Sequence, residues 1–100
     1  MQLKDYHFLQ QIAALPFVEA IYLFGSRARG DHRERSDIDL AIFCPHANER
    51  DWQLILNIVD EADTLLPIDC VRFDHEQPNT PLRLQIEKDK KLIYERSIEY

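Results

Sequence analysis

The sequence predicts an α/β fold: a small mixed β-sheet packed by helices. Short runs of β-branched and aromatic residues end at Gly or Pro, as strands do, and longer segments carry apolar residues at helical spacing. The two kinds of segment alternate along the chain, which is typical of this class. At 100 residues, the chain is expected to form a single domain over residues 1–100. The predicted order is α-β-(turn or short α)-β-α-β-α-β.

Three segments carry the strand pattern. They are Phe17–Phe24, Ser36–Cys44 and Ile68–Phe73. In the second strand, side chains alternate between the two faces of the sheet. One face would hold Ile38, Leu40 and Ile42, and the other Asp37, Asp39, Ala41 and Phe43. The last run, Lys91–Arg96, fits either a short edge strand or an extension of the preceding helix.

Four segments carry helix signals, namely apolar spacing of three and four residues, capping residues and flanking prolines. The predicted helices are Leu3–Leu15, a short one with its N-terminus at Ser26, Asn48–Leu66 and Pro81–Lys90. Thr80 is expected to cap the last helix, with Pro81 as its first residue. The apolar stripe of the third helix consists of Trp52, Ile55, Ile58, Val59, Ala62 and Leu65.

The amino-acid composition argues against some classes of function, among them nucleic-acid binding and insertion into a membrane. The net charge of -6 and pI of about 5.1 argue against direct nucleic-acid binding through a basic surface, since such domains usually have a pI above about 9. No apolar run is long enough to span a membrane, and the N-terminus lacks the pattern of a signal peptide. Cys44 and Cys70 lie in apolar runs without metal-binding spacing, so we expect buried free thiols in a reducing compartment, the cytoplasm.

The segment LFGSRARGDHRERSDIDLAIF, residues 23–43, contains two aspartates one residue apart on a predicted strand. Asp37 and Asp39 would point to one face with their Cα atoms about 6.6 Å apart. Their repulsion and desolvation are unfavourable unless a cation compensates them. Mg²⁺ commonly binds one or two carboxylates together with substrate phosphates. The alternative is a strand that begins exposed and carries two solvated aspartates.

The residues before these aspartates suit an anion. Gly25 allows close backbone approach, and a helix starting at Ser26 would direct free N–H groups at a phosphate. Arg27 and Arg29 can supply forked donors. The alternative is an ordinary turn with solvated arginines. Arg33 and Arg35 receive no assigned role, and remain either surface residues or contacts to a partner.

A third aspartate lies in the next predicted strand. If that strand neighbours the one holding Asp39, then Asp69 would be about 4.8 Å away laterally. It could complete a three-carboxylate site and help to activate an attacking hydroxyl. The alternative is an aspartate at a strand end or a sheet edge.

The pattern Gly25-Ser26, ten residues, Asp37-Ile38-Asp39 matches the signature of the polymerase-beta-like nucleotidyltransferases. The chain in particular resembles a minimal nucleotidyltransferase (MNT) domain of the MntA-type antitoxins, and the resemblance covers nearly all of it. It implies the polymerase-beta-like nucleotidyltransferase fold. The chain departs from the family pattern in the segment EKDKKLIY, residues 87–94, because relatives often have glycine just before the last strand.

The resemblance implies a set of site residues. Gly25 and Ser26 would bind the nucleotide triphosphate, with Arg27 and Arg29 nearby. Asp37, Asp39 and Asp69 would be both the Mg²⁺ ligands and the catalytic residues. Asp69 would also act as the base.

The resemblance further implies a partner. Minimal members often pair with a HEPN-domain protein, and some pairs are toxin–antitoxin systems in which AMP passes from ATP to the toxin, commonly to a tyrosine. Because 100 residues are too few for a separate substrate domain, a partner is expected to supply acceptor recognition. Two alternatives stay open: an antitoxin that neutralises a HEPN ribonuclease by complex formation alone, and a plain metal-binding or structural domain. Homo- or hetero-oligomers fit either antitoxin.

Overall fold

The computed structural model describes residues 1–96, and in this part of the chain four strands form one sheet flanked by helices. The strands are β1 (Ala20–Phe24), β2 (Ile38–Phe43), β3 (Ile68–Arg72) and β4 (Lys91–Glu95). The α-helices are α1 (His7–Ala13), α2 (Gly25–Arg29), α3 (Glu49–Asp60) and α4 (Pro81–Asp89), and short 3₁₀ turns cover Leu3–Asp5 and Phe73–His75.

The sheet is mixed, as predicted. Its order is β3-β2-β1-β4. β1 runs antiparallel to both β2 and β4, whereas β2 and β3 are parallel. The run Lys91–Glu95 is therefore an edge strand and not an extension of α4.

Each face of the sheet has its own apolar core, and the alternation predicted for β2 is confirmed. On one face, the fully buried Ile38, Leu40 and Ile42 pack with residues of α1 and α3. On the other face, Ala41 and Phe43 pack with Phe24, Phe73, Leu82 and Ile86 of β1, the second 3₁₀ turn and α4. Asp39 lies on this second face, because it shares the alternation of Ala41 and Phe43.

The N-terminal boundaries differ from the prediction. The expected helix Leu3–Leu15 is divided, because Tyr6 is extended, with φ -135° and ψ 130°, between the 3₁₀ turn and α1. β1 begins at Ala20 and not at Phe17, since a turn closed by the Val18 N–H on the Leu15 carbonyl (3.1 Å) precedes it.

The third helix is shorter than predicted, ending at Asp60 and not at Leu66. Leu65 is fully exposed and does not belong to the apolar stripe. The segment that leaves the helix brings Asp63 to the start of α1, where its carboxylate accepts the N–H groups of His7 and Phe8, both at 3.2 Å. A helix start thus receives its cap from a residue more than fifty positions away, which local patterns cannot predict.

The start of α4 agrees with the prediction. The Thr80 hydroxyl accepts the Arg83 N–H at 3.2 Å, and Pro81 is the first helical residue. Cys44 and Cys70 are free thiols, buried and half-buried respectively. Within residues 1–96, no helix has both the length and the apolar character needed to cross a bilayer.

A buried ion pair closes the far end of β2. The Arg72 Nε donates to the Asp74 carboxylate at 3.0 Å, and its Nη2 donates to the carbonyls of Cys44 (3.0 Å) and Ala47 (2.8 Å). Asp74 also accepts the Cys44 N–H at 3.0 Å. This network anchors the loop between β2 and α3.

Candidate active site

Two of the predicted carboxylates, Asp39 and Asp69, lie on paired strands next to the turn where β1 ends and α2 begins. Asp39 lies opposite Phe24 of β1 on one side and opposite Asp69 of β3 on the other. Neighbouring strands are about 4.8 Å apart, so the register places Asp69 beside Asp39 on the same face. Asp37 precedes β2 by one residue and is exposed.

Gly25 lies close to the carboxylate of Asp39. A Cβ added at Gly25 would clash with Asp39 Oδ2. Gly25 also has φ +73°, a conformation that residues with a side chain rarely adopt. Two features therefore favour glycine at this position: the positive φ of the turn into α2, and the close approach of the Asp39 carboxylate.

The acidic cluster is electrostatically unfavourable on its own. Burial raises the pKa of Asp39, and the neighbouring charges of Asp69 and Asp37 raise it further. Arg29 acts in the opposite direction and lowers the pKa of Asp39, without cancelling the rise. A bound cation would relieve both the desolvation and the repulsion.

The carboxylates fit a magnesium ion held jointly with a substrate. Within residues 1–96, no three His, Cys, Asp or Glu side chains converge into a closed metal-binding cluster. Mg²⁺ does not need such a cluster, because it usually keeps several waters and binds one or two carboxylates plus phosphates. Asp39 with Asp37 or Asp69 offers the hard oxygen ligands that such a site uses.

The helix that follows the turn is a single turn long. α2 ends at Arg29, and the next residue, Gly30, caps it with φ +87° and donates its N–H to the Ser26 carbonyl at 2.9 Å. Ser26 is half-buried at the start of this helix. The predicted helix at Ser26 is present, beginning one residue earlier at Gly25.

Arg27 is engaged by the loop that precedes β2. Its Nε and Nη2 donate to the Ser36 carbonyl at 3.1 and 2.9 Å, and Nη2 also reaches the Glu34 carbonyl at 3.2 Å. These bonds hold the loop that leads into Asp37. The predicted contact of Arg27 with phosphate stays a prediction.

Arg29 belongs to a network that the sequence patterns did not reveal. Its Nε donates to Asp31 at 3.1 Å and its Nη1 to Asp89 at 2.7 Å. Asp89 lies at the end of α4 and its side chain is 2% exposed. A signal was present in the spacing, since Leu82, Ile86 and Asp89 recur at i, i+4 and i+7 on the packed face of that helix.

Comparison with known proteins agrees with this fold. The family model of the polymerase beta nucleotidyltransferases matches residues 8–99. Because that match spans most of the chain, the protein belongs to this family. A comparison with curated proteins finds no significant match.

Solved structures share the fold. The chain resembles one from a toxin–antitoxin crystal structure with AMP-PNP, with a TM-score of 0.64, 23% identity, and coverage of 89% of this chain and 68% of that one. A variant of the MntA–HpeT toxin–antitoxin gives a TM-score of 0.59 at 25% identity, with the same coverage. A nucleotidyltransferase described as putative, from Sulfolobus solfataricus, gives 0.57 at 24% identity, covering 89% of this chain and 75% of that one.

Proposed function

We propose that the protein is a Mg²⁺-dependent protein adenylyltransferase that transfers AMP from ATP to a hydroxyl, specifically a tyrosine, of a HEPN-domain toxin, and thereby acts as its antitoxin. The observation that carries the proposal is the convergence of Asp39 with Asp69 and Gly25 at the start of α2. The family match supports nucleotidyl transfer. The likeness to a toxin–antitoxin structure with AMP-PNP supports the choice of partner and nucleotide.

The residues divide the chemistry among them. Mg²⁺, when bound at Asp37, Asp39 and Asp69, would supply charge neutralisation for the triphosphate. The turn at Gly25 and Ser26 binds phosphate oxygens, and Arg29 lies within electrostatic range of Asp39. Asp69 accepts the proton of the acceptor hydroxyl while the oxygen of that hydroxyl forms a bond to the α-phosphorus of ATP. The bond from that phosphorus to the bridging oxygen breaks, and pyrophosphate leaves.

Free thiols at Cys44 and Cys70 fit a reducing compartment, so we place this reaction in the cytoplasm. Burial raises the pKa of the Cys44 thiol to about 12. Burial raises that of Cys70 to about 12 as well. Both groups therefore stay protonated and take no part in the transfer.

The test combines the full chain with ATP, Mg²⁺ and a HEPN-domain protein encoded by a neighbouring gene. Intact-mass measurement should show the toxin gaining one AMP, and peptide fragmentation should place it on a tyrosine. The variant carrying both Asp37→Asn and Asp39→Asn should lose the transfer by at least about 100-fold, because several kcal/mol of charge stabilisation are removed.

A matched control variant removes the same number of negative charges but lies outside the candidate site. Asp60→Asn with Glu61→Gln removes two negative charges from exposed positions at the end of α3, and should transfer AMP at the wild-type rate. The proposal is wrong if the toxin gains no AMP although the wild type binds nucleotide, or if the double aspartate variant remains active.

A second candidate is an antitoxin that acts by binding alone. The favouring observation is the net charge of -6, which suits a basic partner surface. The same Asp37→Asn, Asp39→Asn variant decides between the candidates: if it still protects cells fully from the toxin, catalysis is dispensable.

A further inference from the structure

Asp89 occupies a place that local rules disfavour. It is the last residue of α4, where the helix dipole is negative and repels a carboxylate. Its side chain is also 2% exposed, although burying a carboxylate requires compensation. Two unfavourable features at one position suggest that the residue is held there for its contacts.

The contacts of Asp89 lead to the candidate active site. Its Oδ2 accepts from Arg29 Nη1 at 2.7 Å and from the side-chain amide of Gln85. Burial by itself raises the pKa of Asp89, but the bonds from Gln85 and Arg29 outweigh it, so the net pKa is lowered and the group stays ionised. The ion pair joins α4 to α2, sixty residues apart in the sequence.

Arg29 is thereby fixed close to the carboxylate cluster. It lies four residues after Gly25 on α2, which is about 6 Å along the helix axis, and its charge acts on Asp39. Asp31 binds the guanidinium through Nε and Asp89 through Nη1. Within residues 1–96, no hydrogen bond involves Nη2 of Arg29.

We propose that Asp89, supported by Gln85, is a positioning residue that holds the Arg29 guanidinium at the mouth of the candidate site so that it binds a phosphate of the nucleotide. This inference rests on the proposed function, since it assigns the ligand of Arg29 to the triphosphate. Because carboxylates already hold the guanidinium at Nε and Nη1, the side chain loses little further conformational entropy when Nη2 binds a phosphate. Asp89 itself does not touch the substrate.

The test measures binding of Mg²⁺ and ATP by titration calorimetry with the full chain and no partner. Asp89→Asn should weaken ATP affinity by about tenfold, since it removes the charge from a charge-assisted bond. The binding stoichiometry should stay at the wild-type value. Arg29→Gln should weaken affinity at least as much, and Asp89→Asn should add less than twofold in the Arg29→Gln background.

The matched control is Glu87→Gln on the same helix. Glu87 pairs with Arg83 and Lys90 and does not contact Arg29, so its loss should leave ATP affinity within twofold of wild type. If Asp89 only fastens α4 to α2, its replacement lowers the folded fraction: stoichiometry then falls while affinity is retained, and the inference is overturned.

Gln85→Ala keeps the test decisive if Asp89→Asn does not fold. This change leaves the ion pair and removes the amide donor to Asp89, so affinity should fall two- to threefold; an unchanged affinity contradicts the inference. A third outcome separates the inference from the proposed function. If the wild type binds ATP and Arg29→Gln weakens that affinity but Asp89→Asn does not, the inference is overturned and the proposed function stands. No ATP binding by the wild type contradicts the proposed function and removes this inference with it.

Discussion

Two aspartates in opposite electrostatic situations lie near the two ends of β2: Asp39 within the strand, and Asp74 in the 3₁₀ turn that follows β3. Beyond the far end, Asp74 accepts the Cys44 N–H and pairs with Arg72. Burial alone would raise its pKa, but these bonds outweigh it and the net pKa is lowered. At the near end, burial and the charges of Asp69 and Asp37 leave the pKa of Asp39 raised.

The comparison separates a structural carboxylate from a functional one. Asp74 has its donors and its counter-charge within the chain, so its ionised form stabilises the fold. Asp39 lies beside like charges, and Arg29 offsets their effect only in part, so an added cation would stabilise its ionised form further. Carboxylates held in such a state cluster at functional sites, and the following predictions test the contrast from the largest expected effect to the smallest.

Arg72→Ala should be the most damaging change. It leaves Asp74 buried without its counter-charge and removes the donors to the Cys44 and Ala47 carbonyls. Breaking a buried pair in this way costs about 3–5 kcal/mol, measurable as a lower midpoint of urea unfolding. Arg50→Ala, which removes an exposed arginine from α3, should change the free energy of unfolding by less than about 0.5 kcal/mol. Equal effects of the two changes would refute the structural role assigned to the pair.

Gly25→Ala should destabilise the fold more than Gly30→Ala. Both glycines have positive φ, so each substitution costs about 1–2 kcal/mol for the backbone. Only at Gly25 does the added methyl meet another group, the Asp39 carboxylate, while at Gly30 no heavy atom lies within 4 Å. Urea unfolding should show a further loss of about 1–3 kcal/mol at Gly25, and equal losses would show that the approach of Asp39 is not constrained.

Asp39→Asn should have opposite effects on stability and on ligand binding. Without Mg²⁺ the variant should melt a few degrees higher than the wild type, because the repulsion from Asp69 and Asp37 is removed. With Mg²⁺ and ATP, the wild type should gain melting temperature through binding and the variant should gain much less. Asp74→Asn is the matched change at the other end of β2 and should lower the melting temperature in both conditions. If Asp39→Asn melts at a lower temperature than the wild type without Mg²⁺, the ionised Asp39 does not destabilise the fold and its contrast with Asp74 is contradicted.

The smallest expected effect is on pH dependence. The folded pKa of Asp39 is raised above its ordinary 3.8, so its stabilising contribution is present below pH 3.8 and is lost as the pH rises through the raised value. Asp74 has a lowered pKa, so its contribution is present above its ordinary value and is lost as the pH falls through the lowered one. Relative to Asp39→Asn, the wild type without metal should therefore lose melting temperature as the pH rises above 3.8, and the same difference should persist when both chains also carry Asp74→Asn. If the difference between the wild type and Asp39→Asn does not change with pH, the raised pKa of Asp39 is contradicted.

Much of this protein follows from local sequence patterns. The alternation in residues 38–43 assigns Asp39 to the face opposite Ile38 and Leu40, and Thr80-Pro81 marks the start of α4. Both depend only on the two-residue period of a strand and on the free N–H groups of a helix start. The Gly25-Ser26 and Asp37-Asp39 spacing likewise singled out the segment where the candidate site lies.

Tertiary structure decided which of those residues meet. The parallel register that sets Asp69 beside Asp39, the close approach of Gly25 to the Asp39 carboxylate, and the pairing of Arg29 with Asp89 join segments that are distant along the chain. Local propensity carries no information about such contacts, because they depend on how the sheet pairs and how α4 packs on it. The same holds for Asp63, which lies beyond the end of α3 and caps α1. The sequence by itself therefore determined which chemical groups are available, and the packing of the sheet decided which carboxylates are neutralised within the chain and which are left for a cation.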